Sequence, residues 1–524
     1  MRRDEQDTVP KGEASMLALP RHSRAFRIRR ALNWFPLGLA YAFMHMGRYN
    51  LTVAKNALGD CLTKAEFGQI FGLGTLVYGL AFVVNGPLAD RIGGRKTMLI
   101  GMLGSLLMNL LMGLTLYSAP RWHLEIPIAS MFLVLYAINM YFQSFGAVGI
   151  VTVKAPWFHV RERGTLSTIF GMMISMGVYF AFDWGSAIVA ATRGKLAPQL
   201  GYMSRAVRLL TGAGGSGADE NWWIFFLPAM LLGIFWVVLF IFLRNTPADA
   251  GFENFNTGEE SISEHGEVLP AREIFFKLFR HPVLAVICCI AVCLGVLKNG
   301  TMNWYPIFAK ETNINETFFI ARNWGFMLLI AGVIGSVLTG WISDRFFQSR
   351  RAPMTAILCA LVLVVSIVMC FTMTTSPWLL GISTMLIAMS VLGIQGILSA
   401  TSTIDFGGSK NAGAAVGMVD GLFYAGMSLQ SFASGYLTPI GAAAKHAQNW
   451  IAWPALLVPF AIAGFYFSLR IWSALPAASR ATTIREPQPP AEAPRNGNRF
   501  PGAGLDGAGH GKKTPLPVAT RLAS

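Results

Sequence analysis

Three side chains that carry a full charge, Arg48, Lys298 and Asp420, stand inside long apolar stretches of this 524-residue chain. Charge is costly in such surroundings, so intramembrane ionisable residues face a cavity, a partner or a ligand. Two cations and a set of hydroxyl donors can replace the hydration shell of a doubly charged anion such as a phosphoryl group. Arg48 offers a planar, bidentate fork. Lys298 offers a compact point charge that attracts an anion without the geometric selectivity of a planar fork. The plainer reading is that both cations reach for an interface. Arg48 is seven residues, about 10 Å, from Lys55 at one end of its stretch, whereas Lys298 is twelve residues, about 18 Å, from Lys310 and too deep for that. Asp420 lies nine residues beyond Asn411, about 14 Å deep. A carboxylate there can accept substrate hydroxyls, pair with Lys298, or carry a coupling proton; a structural ion pair is the plainer alternative. No nucleophile–base set, phosphate-cradling glycine loop or metal-ligand spacing is apparent, so neither enzyme chemistry nor a metal or cofactor is expected.

The elements that must position these groups are membrane helices. With 53% hydrophobic and 13% charged residues and a mean hydropathy of +0.49, the bilayer is the expected solvent. Apolar stretches of about 20 residues, the length that crosses a hydrocarbon core, recur about twelve times. Spans are expected near residues 31–57, 66–87, 97–117, 124–153, 163–190 and 222–243, then near 282–309, 318–343, 353–373, 377–404, 411–437 and 448–472. The corresponding regions are a tail (1–30), an N-terminal six-helix bundle (31–243), a connector (244–281), a C-terminal six-helix bundle (282–472) and a tail (473–524) rich in Pro, Gly and charge and expected to be disordered.

The net charge of +15 does not form one basic stripe of the kind nucleic acid requires. It falls in clusters before the first span and in alternate loops, among them Arg91, Arg95 and Lys96, then Arg161 and Arg163, then Arg345, Arg350 and Arg351. By the positive-inside rule both chain ends are cytoplasmic. One loop disagrees: residues 191–221, assigned outside, carry Arg193, Lys195, Arg205 and Arg208. The first 30 residues contain no apolar core of a cleavable signal, so the first span is expected to stay in the protein. Five of the six cysteines fall in spans and Cys61 stands alone, so no disulfide or metal framework is expected.

The two halves repeat. Gly86-Pro-Leu-Ala-Asp90-Arg91 after span two returns as Gly340-Trp-Ile-Ser-Asp344-Arg345 after span eight, and Arg48 precedes Asp90 by 42 residues while Lys298 precedes Asp344 by 46. Parallel six-helix repeats about a central site are the architecture of a rocking transporter. Gly413, Gly417, Gly421 and Gly426 recur at helical spacing, as close helix contacts require.

The segment from Gly86 to Lys96 resembles the signature loop of the major facilitator superfamily, with glycines for a tight turn. The resemblance implies an all-α membrane protein, 12 transmembrane helices as two six-helix halves, in which Gly86, Asp90, Arg91, Gly94 and Arg95, with Asp344 and Arg345, form a conformational latch on the cytoplasmic side. Within that superfamily the chain resembles the organophosphate:phosphate antiporters, through Gly47-Arg-Tyr-Asn, Tyr78-Gly, Phe142-Gln, Glu162-Arg-Gly and Arg244-Asn-Thr-Pro, and in the second half Asn303-Trp, Gly340-Trp-Ile-Ser-Asp-Arg-Phe-Phe and Lys410-Asn-Ala-Gly-Ala-Ala-Val-Gly. Together these cover roughly residues 33–472.

The family implies a phosphoryl clamp from Arg48 and the residue at Lys298, where it has an arginine. It also implies pocket roles for Tyr41, Tyr78, Tyr424 and Asn303, with His45 in place of a further tyrosine. Phe82 and Met173 stand where the glycerol-3-phosphate transporter has a lysine and a histidine, which puts the same substrate and proton linkage in doubt. The expected function is exchange of small organophosphates for phosphate across the inner membrane. Two alternatives stand: proton-coupled uptake of a carboxylate or other organic anion, and a transporter-like sugar-phosphate receptor signalling to a sensor kinase. The expected partners are a small anionic substrate, phosphate or a proton as coupling ion, and the lipid bilayer, without nucleic acid, the chain acting as a monomer.

Overall fold

The structure, a computed structural model, describes residues 22–121, 127–159, 162–194, 200–213, 217–257, 280, 282–314, 317–347, 351–398 and 412–473. Most of the expected connector and tail, Lys410 and Asn411, and the side chains of Asp90 and Asp344 lie outside this description.

The described chain is helical, with no strand among its elements. We number its long helices α1 (Arg24–Leu58), α2 (Lys64–Ile92), α3 (Gly94–Arg121), α4 (Ile128–Lys154), α5 (Arg163–Tyr179, continued through a wide turn at Phe180–Trp184 into Gly185–Thr192) and α6 (Trp223–Phe242). The second half contains α7 (Pro282–Met302, continued as Trp304–Glu311), α8 (Trp324–Phe346), α9 (Arg351–Thr372), α10 (Pro377–Ile397), α11 (Ala412–Leu437) and α12 (Ala452–Arg470). Ten of these, all but α1 and α11, are long and apolar enough by composition to cross a membrane among the described residues. α1 holds Arg48, α7 holds Lys298 and α11 holds Asp420.

Local sequence sets several boundaries. Thr63 and Glu66 form a reciprocal capping box that starts α2, and Ser376 with Pro377 starts α10. The glycine-rich motif differs from the tight turn expected of it. Gly86 lies inside α2, which runs on to Ile92, and Gly94 is already the first residue of α3. The turn is made by Gly93 alone, at φ +83°, a conformation open to residues without a Cβ. The helix persists through the motif because Thr97 and Gly93 close the corner with backbone hydrogen bonds, leaving nothing for the other glycines to relieve. α1 likewise begins at Arg24, upstream of the expected span, where Ser23 caps it.

The helix pairings repeat between the halves. α1 packs on α5 and α6 as α7 packs on α11 and α12; α2 packs on α4 as α8 on α10; and α3 packs on α4 and α6 as α9 on α10 and α12. Between the halves α2 lies along α11, and α8 lies along α5, which is the same relation with the halves exchanged. α1 and α7 are the central helices, buried almost continuously from Leu37 to Lys55 and from Leu294 to Met302. The outer helices α3, α6 and α9 present apolar side chains such as Leu107, Leu111, Ile234, Val237, Val364 and Phe371 outward, as a lipid-facing surface requires. Close approach of the halves depends on glycine: a Cβ on Gly79 would lie 2.7 Å from the carbonyl oxygen of Gly421, so α2 and α11 touch backbone to backbone.

Candidate substrate-binding site

The sequence places Arg48 seven residues from the end of the buried part of α1 at Lys55, and packing makes it one of the largest fully enclosed side chains of the molecule. Its guanidinium donates from Nη1 to the Tyr424 hydroxyl at 3.1 Å and from Nη2 to Gln143 Oε1 at 3.3 Å, and lies 4.2 Å above the Tyr78 ring. The Nε hydrogen is left without an acceptor. The cation therefore joins α1 to α4 in its own half and to α11 in the other, with one donor unspent.

Gln143 is held in turn. Its amide group donates to the Met44 carbonyl and to Ser105 Oγ, each at 2.8 Å, and Ser105 donates to Asn139 Oδ1 at 2.7 Å. Asn139 and Asn109 both donate to the Gly47 carbonyl, at 3.1 and 3.2 Å, and Tyr136 donates to the Arg48 carbonyl at 3.0 Å. This ladder across α1, α3 and α4 orients the oxygen of Gln143 toward the arginine.

Lys298 occupies the matching place on α7. Its ammonium donates to Gln395 Oε1 on α10 at 2.9 Å and sits 5.2 Å from the Phe423 ring centre. The repeat thus extends further than the cations: Arg48 and Gln143 are 95 residues apart, Lys298 and Gln395 are 97 apart, and each pair joins the first and fourth helices of its half. The two glutamines were missed as site residues in the sequence reading, although each is an amide in an apolar stretch at a nearly constant offset from a cation.

The other expected site residues divide. Tyr41, Tyr78 and Tyr424 surround Arg48 closely enough to act on its charge, together with Tyr49, and Tyr78 packs on Tyr424 with ring centres 4.3 Å apart. Asp420, one helical turn from Tyr424 on α11, is half-buried and acts electrostatically on Lys298 and Tyr41. His45 is buried with Nδ1 3.0 Å from the Tyr41 carbonyl and its ring against that of Tyr41. Asn303 stands apart from the cations. It accepts from Thr52 at 2.8 Å and donates to Asn299 at 2.7 Å, so it ties α7 to α1 beyond the pocket. The departures contribute apolar walls: Phe82 packs against Tyr78 and Tyr424, and Met173 presses on Gly38.

On the side away from the chain ends, further contacts join the halves. Glu311 lies 3.5 Å from Lys64 and 4.0 Å from Lys55, and the Lys64 ammonium lies over the Trp450 ring. Asn56 donates to the Pro306 carbonyl at 3.2 Å, and Gln69 bonds Tyr436. The Asp183 carboxylate accepts from the backbone N–H groups of Gly325 and Phe326 at 3.2 and 2.8 Å. It caps the start of α8 from α5.

On the side of the chain ends the motif residues look to their own half. Arg95 donates from its backbone to Asn245 Oδ1 at 2.8 Å and from Nη2 to the Phe240 carbonyl at 2.6 Å, both after or within α6. Arg91 and Arg345 are exposed.

Residues 37–431 match the sequence family described as the Major Facilitator Superfamily. The glycerol-3-phosphate transporter of Bacillus subtilis (strain 168) is 24% identical over 458 residues, covering 86% of this chain and 94% of that protein. The membrane sensor protein UhpC of Escherichia coli (strain K12) is 24% identical over 400 residues, covering 75% of this chain and 82% of that protein. Among solved structures, a bacterial homologue of the human lysosomal transporter Spinster, in its inward-facing and unoccupied conformation, superposes with a TM-score of 0.61 at 15% identity, covering 86% of this chain and 98% of that one.

Proposed function

The chain belongs to the Major Facilitator Superfamily, and we propose that it carries small organophosphates across the cell's inner membrane in exchange for phosphate, with Arg48 and Lys298 as the groups that bind the anion. One observation carries the reading. Each half contributes one buried cation from its first helix, held by a glutamine from its fourth, and the two cations reach adjacent residues of α11, Arg48 at Tyr424 and Lys298 at Phe423. A dianion between them satisfies both charges at once, and the Arg48 Nε and the ring of tyrosine hydroxyls supply donors to its oxygens. The names of the relatives support a phosphorylated cargo.

Alternating access follows from the same geometry. The contacts among Glu311, Lys55 and Lys64, between Thr52 and Asn303, and between Asp183 and the start of α8 act as the gate on the side away from the chain ends. With that gate shut, cargo enters from the side of the chain ends, which the charge clusters assign to the cytoplasm. The motif residues around Asp90 and Asp344 serve the opposite gate when the halves rock. The chain works as a monomer, its cleft complete within one copy.

Purified protein in phosphate-loaded vesicles tests this. Labelled glycerol 3-phosphate or a hexose phosphate should enter without a pH gradient, and Arg48→Ala and Lys298→Ala should each abolish uptake. Uptake that demands the gradient, or a carboxylate cargo preferred over phosphate esters, would favour the symport reading that a lysine in the clamp permits. The likeness to a membrane sensor supports a second reading, a receptor; binding with no counterflow in vesicles is its signature.

A further inference from the structure

The loop whose charge contradicted the orientation rule contains a helix, Tyr202–Thr211, that the transport reading leaves without a task. It lies between α5 and α6 on the side away from the chain ends, beginning after Gly201 and closed by Gly212 at φ +61°. The loop's base is pinned to the bundle. Glu220 donates from its backbone to the Thr192 carbonyl at 2.9 Å, and Gly194 donates to Asp219 Oδ1 at 3.0 Å. Ser204 and Val207 are buried where the helix packs on Gly185–Thr192 of α5.

The opposite face is the anomaly. Tyr202 is 91% exposed, Leu209 87% and Leu210 79%, and with exposed Ala206 they recur at i, i+4, i+7 and i+8, a single stripe. Arg205 and Arg208 flank the stripe. Contiguous apolar surface of this kind, beside cations, needs an occupant. The neighbours say which one. α6 begins at Trp222 and Trp223, with Tyr117 of α3 edge-on to Trp222 at 5.3 Å, and Trp/Tyr clusters of this sort mark the headgroup level of a bilayer. The base of the loop is tied at Glu220, two residues before that belt, and the helix packs on the end of α5 to which Glu220 is bonded. An apolar stripe lined with arginines at headgroup level is the pattern of a helix lying in the membrane surface.

We infer that Tyr202–Thr211 is an in-plane anchor that sets Tyr202, Ala206, Leu209 and Leu210 into the lipid leaflet on that side and offers Arg205 and Arg208 to anionic phosphate headgroups. The loop's arginines then stop being an exception: they read lipid phosphate on the translocated side. Because the helix packs on α5, and α5 meets α8 across the halves, the leaflet gains a grip on an element of the moving interface.

A nitroxide at Leu209→Cys, in full-length protein whose native cysteines are replaced, tests the assignment in vesicles of phosphatidylcholine with and without phosphatidylglycerol. Collisions with lipid-soluble oxygen should exceed those with a water-soluble nickel chelate several-fold. Phosphatidylglycerol should deepen the label, and Arg205→Gln with Arg208→Gln should remove that response. Dominant nickel collisions would place the face in water and overturn the inference. So would a spectrum equally immobilised in detergent and in vesicles, which marks a protein partner or second copy, and so would indifference to lipid charge, for the headgroup role. Tyr202→Cys reports the same face if Leu209→Cys impairs folding.

Discussion

At the scale of single residues, the two cations of the site are not held alike. Gln143, the partner of Arg48, is locked by Met44, Ser105 and, through Ser105, Asn139, whereas Lys298 is a point charge on a flexible stem held by Gln395. Arg48 is accordingly the preorganised half of the clamp and Lys298 the adaptable half. Replacing Gln143 by glutamate would put an anion against Arg48 that competes with cargo, so Gln143→Glu should weaken phosphate binding more than Gln143→Leu does. The leucine variant should instead lose stability, by about 1–3 kcal/mol, because it strands a buried guanidinium donor and the Met44 carbonyl. Isothermal binding and thermal unfolding in detergent separate the two effects; equal loss of affinity in both variants would refute the competition argument. Arg48, Lys298 and Asp420 were legible in sequence because a charge in an apolar stretch is its own signal. The glutamines were not, since a neutral amide costs less to bury and so stands out less. Asn303, given a pocket role by resemblance, accepts a hydrogen bond from Thr52, a contact that depends on where α7 meets α1 rather than on residue type.

At the scale of helices, the sequence marked the spans because hydropathy and loop charge both report the same solvent, and the described helix pairings repeat as the duplicated motif led one to expect. What it left hidden is the ion cluster joining α1, α2 and α7. Lys55, Lys64 and Glu311 are ordinary span-end charges in sequence, and only the packing of α7 against α1 makes them a gate. Glu311 neutralises two lysines that are each about 4% exposed, so Glu311→Gln leaves two like charges close together with little water to screen them. The variant should favour opening of that side by about 1–2 kcal/mol, a change of roughly tenfold in the ratio of conformations. The labelling rate of Asn303→Cys by a charged thiol reagent added from that side should rise accordingly. A rate unchanged from that of Asn303→Cys alone would remove Glu311 from the gate.

At the scale of the whole molecule, the charge distribution bears on whether transport is exchange or one-way flow. Arg48 belongs to one half and Lys298 to the other, and both reach α11, at Tyr424 and Phe423. Rocking through an occluded state draws the two cations together in a space from which water is leaving. Without an anion between them the Coulomb cost rises as the local dielectric falls, whereas a bound dianion turns the same approach into attraction. On the proposed reading the empty carrier is held back and the loaded one released, which is the condition for obligatory exchange. Asp420 moderates the repulsion from the side of Lys298 without abolishing it, because one carboxylate leaves the site with a net positive charge. Lys298→Gln removes the barrier at its source. Spin labels placed across the gate between α1 and α7 should show wild type in one conformation until phosphate is added, and Lys298→Gln in a mixture of two without any ligand. If the variant kept the wild-type distance distribution, repulsion between the cations would not be what restrains the empty carrier, and exchange would need a different cause.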